Sequence, residues 1–402
     1  MKAEIEKLDH FGRGITYIDG KVCFVEKALP GEIVKIKIIK DSKKYLLGKV
    51  VDYYKLAEDR VEEVCRYSDI CGGCNLSHLD FKEENNYKCM KVKEILKKFG
   101  NVSSEKILDV VSCNEYGYRN KVTLHGSNSR LGYCESGSNS VFGTESCLLA
   151  DDKINEVMEV VKKLAYTEQI EELLIRCSND SSEVMVSLTG KVDDYSELVN
   201  LVDTLIINDE VILGDGKIIS SISDKKYYVS SKSFFQVNKE VTKLLYDEIL
   251  NVVKKNKPNK VLDLYCGTGT IGIYVSDYVN KVVGVDYSKS GISDANVNKE
   301  LNNCSNIEFI CDKVENVIDS FDDIDLVIVD PPRAGLDNKT IDNIKRIGAD
   351  TLIYVSCDPA TLGRDLKLLE DEYEVLYVKP FNMFPRTYHI ENFVELRRKN
   401  NG

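Results

Sequence analysis

The sequence predicts an α/β protein whose C-terminal part is a doubly wound, Rossmann-like parallel sheet. Strands and helices alternate regularly from about residue 231, and a glycine-rich loop follows the first strand of that series. Upstream, apolar residues alternate with lysines, which predicts a small N-terminal β-barrel, and the stretch between mixes both element types. We therefore expect a barrel at 1–55, a central α+β domain at 56–230 and the Rossmann-like domain at 231–402.

Composition and charge are those of an ordinary globular protein. The 402 residues are 43% hydrophobic and 30% charged, and no apolar run is long enough to span a membrane. The N-terminus is charged and has no apolar signal core, so we expect a cytoplasmic protein without a membrane partner. The net charge is −12, but residues 1–50 carry 11 Lys and Arg against 7 Asp and Glu. Because phosphate binding needs only local positive charge, an RNA partner is compatible with this distribution.

The alternation in the C-terminal domain predicts individual elements. In chain order they are helix 237–254, strand 260–264, helix 270–278, strand 281–286, helix 289–301, strands 306–310 and 325–330, helix 338–347, strand 351–356 and helix 359–369. Helices are also predicted upstream, at 81–99, 152–165 and 194–207. Ligands of open α/β sheets bind at the carboxyl ends of the strands, so residues that follow strands are the candidate site.

A glycine-rich loop follows strand 260–264. Gly267 and Gly269 allow the backbone to turn tightly and to approach a ligand closely. Asp286 ends the next strand, where a carboxylate can accept hydrogen bonds from both ribose hydroxyls of a nucleoside cofactor. With Gly272 the spacing also fits the dinucleotide motif, so an NAD-dependent oxidoreductase is a competing interpretation, and a purely structural turn is another.

Two more strand ends carry reactive side chains. Asp330 precedes two prolines that end a strand, and Cys357 follows strand 351–356. Asp358 and Pro359 suit the cap and first position of a helix, whose dipole favours a thiolate, so we expect a lowered thiol pKa for Cys357. A thiolate can add to carbon 6 of uracil and so activate carbon 5 toward a methyl sulfonium. The alternative is a buried structural cysteine, the usual fate of a lone thiol.

The segment 384–391 near the C-terminus adds two candidate proton acceptors. Glu391 is one, with a surface carboxylate or a salt bridge as the alternative roles. His389 is the other, the one histidine of four that falls near this chemistry. Sequence alone does not choose between them.

The motifs DLYCGTGTIG, DPPRAGL, YVSCDPATLGRDL and FPRTYHIEN occur in this order. Together they resemble the RNA uracil-5 methyltransferase family, which uses S-adenosylmethionine. The resemblance extends upstream to SFFQVN at 233–238 and YRNK at 118–121, and it covers nearly the whole chain. The cytosine-5 RNA enzymes, which use related chemistry, carry a cysteine directly after their Asp-Ala-Pro-type motif. Here Arg333 follows Pro332, which disfavours that class.

The resemblance implies a role for individual residues. Cys357 matches the nucleophile and Glu391 the general base, and Asp330 also lies close to the uracil. The positions that hold S-adenosylmethionine are Gln236, Tyr265, Asp286 and Asp330, beside the loop glycines Gly267 and Gly269. Arg119 and Lys121 match a segment near the RNA. Two departures from the family pattern are Asp286, where Glu is usual, and Asn382, where many relatives have Asp.

The resemblance also covers the N-terminal half. Residues 1–55 look like a TRAM domain, an RNA-binding, OB-like β-barrel. The spacing of Cys65, Cys71 and Cys74, with Cys147 later, resembles the 4Fe-4S ligands of the ribosomal RNA branch, although four thiolates also suit zinc. TRAM and cluster together favour 23S ribosomal RNA as substrate, with the T-loop of transfer RNA as the alternative. A non-catalytic iron–sulfur RNA-binding protein is the alternative of another class, and no obligate protein partner is evident.

Overall fold

The computed structural model describes residues 1–164, 167–180, 182–192 and 194–399. Residue 165, the last of one predicted helix, lies outside this set. The predicted order of a β-rich N-terminus, an α+β middle and a C-terminal α/β sheet is confirmed. The boundaries between them at residues 55 and 230 stay a prediction.

The N-terminal residues form one sheet. Its strands are β1 (Lys2–Glu4), β2 (Lys7–Leu8), β3 (Gly14–Ile18), β4 (Lys21–Glu26), β5 (Ile33–Asp41) and β6 (Leu46–Lys55). They lie in the order β1-β5-β6-β4-β3-β2. Within β5, Val34 and Ile36 are buried while Lys35 and Lys37 are exposed, which is the alternation that the sequence predicted.

The middle of the chain combines helices with a mixed sheet and a separate hairpin. The helices are α1 (Phe81–Phe99), α2 (Asp152–Val161) and α3 (Ser196–Val199). The strands of the sheet are β7 (Lys121–Ser127), β8 (Arg130–Cys134), β9 (Val141–Gly143), β10 (Ile170–Cys177), β11 (Val184–Gly190), β12 (Thr204–Ile207) and β13 (Glu210–Leu213). They lie in the order β13-β12-β11-β10-β7-β8-β9. The hairpin pairs β14 (Lys217–Ile222) with β15 (Lys225–Ser230).

The predicted helix 194–207 is wrong over most of its length. Only α3 is helical, and the β-branched end of the segment is strand β12, which pairs in parallel with β11. Pairing with the preceding strand of the sheet outweighed the helical spacing of the leucines.

The C-terminal domain is a largely parallel sheet with helices. Its strands are β16 (Lys260–Leu264), β17 (Lys281–Asp286), β18 (Ile307–Cys311), β19 (Leu326–Val329), β20 (Thr351–Ser356), β21 (Tyr373–Phe381) and β22 (Glu391–Arg398). Its helices are α4 (Lys239–Asn256), α5 (Thr270–Val275), α6 (Lys289–Leu301), α7 (Val314–Val317), α8 (Asn338–Ile347) and α9 (Pro359–Leu369). A 3₁₀ turn, Ser276–Tyr278, completes the predicted helix 270–278.

The strand order β18-β17-β16-β19-β20-β22-β21 reverses direction between β16 and β19. A crevice opens at the carboxyl ends of strands where the order reverses, and this is the usual ligand site of such sheets. Strands β21 and β22 run antiparallel to their neighbours and were not predicted. They end the sheet, and β22 lies directly beside β20.

Helix α1 precedes the mixed sheet in the chain but packs on the C-terminal domain. Val92 and Leu96 belong to the same buried core as Leu362 and Leu366 of α9. The two helices approach closely at Gly363, where an added Cβ would lie 3.0 Å from the Cβ of Phe99.

A fully buried ion pair fixes α1 to the C-terminal segment that ends at Glu391. Lys88 Nζ lies 2.7 Å from Glu84 Oε1, and neither side chain is exposed. Lys88 also donates to Asn382 Oδ1 at 2.7 Å and to the Phe384 carbonyl at 3.1 Å. Glu84 accepts from the backbone N–H of Arg386 at 3.0 Å. Lys88 and Glu84 therefore each have one partner on α1 and at least one in the C-terminal segment.

Replacing Lys88 by methionine should destabilise the protein by about 3–5 kcal/mol, because the buried Glu84 carboxylate would lose its closest cation and keep only Arg386 Nη1, at 3.7 Å. Urea unfolding measures the loss. The double change Glu84→Gln with Lys88→Met should cost much less than the single change. Lys163→Met, which breaks the exposed pair with Glu159, should leave stability nearly unchanged. A Lys88→Met protein as stable as the parent would contradict this interpretation.

Candidate functional site

The register of two strands brings Cys357 opposite Glu391. Ser356, the last residue of β20, pairs with Asn392 of β22. Cys357 and Glu391 are the next residues of these antiparallel chains, so they face each other at the end of the ladder. Directly opposed residues have Cβ atoms about 4.5–5.5 Å apart. Cys357 is half-buried and Glu391 is buried, with no hydrogen-bond partner for its Oε1 among the described residues.

Two carboxyl groups of this cleft have raised pKa values. Burial raises the pKa of Asp330 to about 7. Burial, and then the charge of Asp330, holds the pKa of Glu391 well above its usual range, while Arg333 acts in the opposite direction. A carboxylate with a raised pKa is a stronger base than an ordinary one once it is ionised.

The expected lowering of the Cys357 pKa is wrong. Burial raises the pKa of this thiol to about 11, the charges of Glu391 and Asp330 add to the shift, and Arg333 opposes it. Helix α9 does start here, but Asp358 already accepts hydrogen bonds from the free backbone N–H groups of Ala360 and Thr361. The effect of the helix dipole is therefore outweighed by burial and by neighbouring carboxylates.

The glycine loop has the geometry that the sequence predicted. Gly267 and Gly269 have φ values of +54° and +76°, and an added Cβ at Gly269 would lie 2.4 Å from the ring of Phe309. Asp286 accepts from Gly267 N at 3.0 Å and from Ser288 N at 2.8 Å, so its carboxylate fixes the loop. Tyr265 enters the loop at φ +64°, a strained value for a side chain of this size.

One cleft of about 750 Å³ gathers most of the predicted residues. Its walls include Gln236, Tyr265, Gly267, Asp286, Asp330, Cys357 and Glu391. Gly269 belongs to the loop but does not line the cleft, and it packs against Phe309 instead. Sequence analysis missed Asp263, which is fully buried beneath the loop and accepts from Gly272 N at 3.0 Å. Its place at the head of the DLYCGTGTIG motif was the available signal.

Arg333 and His389 also line this cleft. Arg333 Nη2 lies 3.4 Å from His389 Nδ1. Burial, and then the nearby Arg333 charge, lowers the pKa of His389 to about 4. The imidazole is therefore neutral at physiological pH and a weak base.

The four predicted metal ligands lie around one cavity, but the described residues do not show the arrangement of a metal site. Cys65, Cys71, Cys74 and Cys147 line a second cavity of about 660 Å³, along with Cys134. Their thiol chemistry suits an iron–sulfur cluster or zinc. Yet within the described residues no group of three or more Cys, His, Asp or Glu side chains has the spacing to hold a metal ion. The expected metal centre is therefore not supported.

The second cavity also has a cationic wall. Lys121 of β7 lies opposite Arg176 of β10, and Arg119 lines the same cavity. Like charges opposed across a ladder repel each other. Burial, and then the charges of Arg176 and Arg119, lowers the pKa of Lys121 to about 8. Sequence analysis missed Arg176, which had no motif around it.

Residues 80–399 match the tRNA (uracil-5-)-methyltransferase family, and residues 1–51 match the TRAM domain. The chain belongs to this family. The predicted family, the TRAM domain and the activity of an S-adenosylmethionine-dependent RNA uracil-5 methyltransferase are thereby confirmed. They replace the NAD-dependent and the non-catalytic interpretations.

Several relatives match this methyltransferase along its whole length. An uncharacterized RNA methyltransferase of Clostridium acetobutylicum is 35% identical and covers 98% of this chain and 96% of its own. One from Halalkalibacterium halodurans is 32% identical, with coverage of 100% and 97%. The solved structure of the Pyrococcus abyssi tRNA (uracil-54, C5)-methyltransferase with S-adenosyl-L-homocysteine is similar at a TM-score of 0.81 and 25% identity. It covers 98% of this chain and 100% of its own.

Among the described residues, no helix is both long enough and apolar enough to cross a lipid bilayer.

The cysteine cavity gives a direct test of metal binding. If Cys65, Cys71, Cys74 and Cys147 hold a cluster, Cys71→Ser should remove iron and visible absorbance from protein purified without oxygen. Cys134→Ser should keep both, because Cys134 lines the same cavity but lies outside the predicted set. Stoichiometric zinc without visible absorbance would identify a zinc site instead. A parent protein without any metal would end the metal interpretation.

Proposed function

We propose that this enzyme methylates carbon 5 of uridine in RNA by covalent catalysis, with Cys357 as nucleophile and Glu391 as general base. The observation that carries the proposal is the strand register that sets these two residues opposite each other. Half-buried Asp330 directly follows β19, on the same edge of the sheet, and lines the same cleft. A thiol, a proton acceptor and a cofactor loop thus share one cavity.

Methylation of carbon 5 can proceed in four steps with the side chains of Cys357 and Glu391. The Cys357 thiolate bonds to carbon 6 of uracil, and the displaced electron pair makes carbon 5 nucleophilic. S-adenosylmethionine would supply the methyl group: carbon 5 bonds to the methyl carbon as the sulfur–methyl bond of the sulfonium breaks, and the neutral thioether S-adenosylhomocysteine leaves. Glu391 then accepts the proton of carbon 5, and the sulfur–carbon 6 bond breaks to release the thiolate. Arg333, the one group that lowers the Cys357 pKa among its main influences, favours the thiolate at the start and at the end.

Glu391 is the better candidate base of the two that the sequence left open. It lies opposite the nucleophile and carries an unpartnered buried oxygen. His389 has a pKa of about 4 and neighbours Arg333, so a proton on it would be unfavourable. In this proposal His389 contributes shape and not proton transfer.

The cofactor is assigned to the glycine-loop side of the cleft. The residues that would hold S-adenosylmethionine are Gln236, Tyr265, Asp286, Asp330 and Gly267, while Gly269 would shape the loop from outside the cleft. Asp286 already uses both carboxylate oxygens on the loop backbone, one on Gly267 and one on Ser288. Each carboxylate oxygen can accept a second hydrogen bond, so ribose hydroxyls can still bind to this shorter acid.

The target is proposed to be ribosomal RNA, with transfer RNA as the second candidate. The first rests on the TRAM domain together with the gathered cysteines Cys65, Cys71, Cys74 and Cys147. The second is favoured by the Pyrococcus abyssi enzyme, whose name specifies transfer RNA and whose fold matches along the full chain. The fold is therefore compatible with either RNA. The half-buried cations Arg119 and Lys121 on the wall of the second cavity suit the phosphates of both.

Replacing Cys357 by alanine should abolish turnover and prevent any covalent RNA adduct, because carbon 5 is not activated without addition to carbon 6. Glu391→Gln should add and methylate but stall before proton loss, so that a methylated adduct accumulates on a denaturing gel and turnover falls about 10²–10⁴-fold. Cys311→Ser is the matched control, an exposed cysteine at the same edge of the sheet. Normal turnover by either active-site variant would remove that residue from its role.

Mapping 5-methyluridine in cells that lack this protein distinguishes the two RNA candidates. Loss of the mark from large-subunit ribosomal RNA is expected, with transfer RNA unchanged. Loss from transfer RNA alone would reverse the assignment. Re-expression of the Cys357→Ala variant should not restore the mark.

A further inference from the structure

A row of aromatic side chains joins the N-terminal sheet to the catalytic cleft. Phe11 meets Tyr388 edge-on, with ring centroids 5.4 Å apart and an interplanar angle of 80°. Tyr388 lies against His389 at 4.2 Å, and His389 against Phe384 at 6.0 Å. His389 and Phe384 line the cleft that holds Cys357. We call Phe11, Tyr388, His389 and Phe384 the aromatic row.

The outer end of the row is exposed but held firmly. Phe11 is 53% exposed. Its backbone N–H donates to Asp9 Oδ1 at 2.9 Å, and the same oxygen accepts from Arg13 N at 2.8 Å. Tyr87 of α1 donates to the Asp9 carbonyl at 2.7 Å. The fold therefore presents an apolar ring to solvent on a fixed turn, where burial would have been more favourable.

Cations accompany the row along its length. The Arg13 guanidinium lies 5.2 Å from the centre of the Phe11 ring, and Lys91 Nζ lies 5.1 Å from that of Tyr388. Arg333 lies beside His389. Of the nearby carboxylates, Asp9 is paired with Arg13 at 2.6 Å. Aromatic rings beside cations are typical of single-stranded nucleic-acid sites, where the rings stack on bases. Lys91 is buried and donates to the Tyr388 carbonyl, and Arg13 is paired with Asp9, so the row offers base stacking and not phosphate neutralisation.

We propose that the aromatic row binds the RNA strand beside the target uridine, with Phe11 stacking on the base of a flanking nucleotide. The inference rests on the proposed function and adds a substrate-positioning surface to it. A uridine that leaves its stack to reach Cys357 deprives its neighbour of a stacking partner. Phe11 and Tyr388 supply a replacement next to the cleft, on a side that continues onto the N-terminal sheet. The occupant is RNA because the strand that enters the cleft must continue past its rim.

The test measures binding of a fluorescent single-stranded RNA that contains one central uridine, at fixed salt concentration. Phe11→Ala should weaken binding between about fivefold and a hundredfold, the range found when a stacking aromatic is removed. Phe11→Trp, which keeps a flat aromatic face, should restore it. S-adenosylmethionine affinity and the melting temperature should not change in step with RNA affinity.

Tyr278→Ala is the matched control. Tyr278 is 48% exposed and has Lys254 Nζ 4.4 Å from its ring centre, so it reproduces the ring and cation of Phe11 and Arg13. It comes just before β17, at the opposite edge of the sheet from the cleft. This variant should bind RNA like the parent.

Abasic RNAs identify the stacked nucleotide. Removing the base at one flanking position should weaken binding by the parent protein, and the same removal should have no further effect on Phe11→Ala, as a double-mutant cycle requires. Two outcomes would overturn the proposal: a Phe11→Ala protein that binds like Tyr278→Ala, or a loss of affinity that only follows a lowered melting temperature. Failure of the proposed function is separate, because it would appear as a parent protein that binds RNA but forms no 5-methyluridine.

Discussion

The buried pair of Glu84 and Lys88 is the constraint on which the site depends. It holds α1 against the segment from Asn382 to Glu391, so the position of the candidate base is set from a part of the chain far away in sequence. The pair also explains the departure at position 382. Arg386 is matched by Glu115 and Lys88 by Glu84, so the buried charges balance with a neutral amide there. An aspartate at 382 would add a buried negative charge that this network does not need to satisfy its cations.

The geometry of the candidate site also depends on the antiparallel strand β22, which lies beside the last parallel strand, β20. Parallel strands direct the glycine loop, Asp286 and Asp330 to one edge because all their carboxyl ends lie there. Strand β22 runs antiparallel to β20, so it brings its amino end and not its carboxyl end to that same edge. Glu391 begins β22 for this reason and meets Cys357. A further parallel strand in this place would have put its first residue at the opposite edge, away from Cys357.

The sequence predicts those features of the fold and the site whose signals are local in the chain, and it does not predict those that depend on contacts between distant segments. Strand ends that carry Gly267, Asp330 and Cys357 were predictable because alternation, prolines and caps are local. Strand β21 was missed because Pro380 and interspersed charges weaken its pattern, and Pro380 is tolerated since β21 is the edge strand. The packing of α1 on α9 has no local signal at all. The raised pKa of Cys357 could not be predicted either, because it comes first from burial in the folded cleft and then from carboxylates at the ends of β19 and β22.

The charges of the cleft make the ionisation of its acidic groups sensitive to a bound cation. Cys357, Glu391 and Asp330 all have raised pKa values, with desolvation as the largest cause for each, and neighbouring carboxylates add to the shift for Cys357 and Glu391. Arg333 is the cation that opposes this for Cys357 and Glu391. A positively charged ligand in the cleft stabilises the ionised forms of all three groups, and by linkage those ionised forms bind it more tightly. The methyl sulfonium carries such a charge and its demethylated product does not. In the proposed reaction, the burial that disfavours the Cys357 thiolate would thus couple its ionisation to binding of the methyl donor.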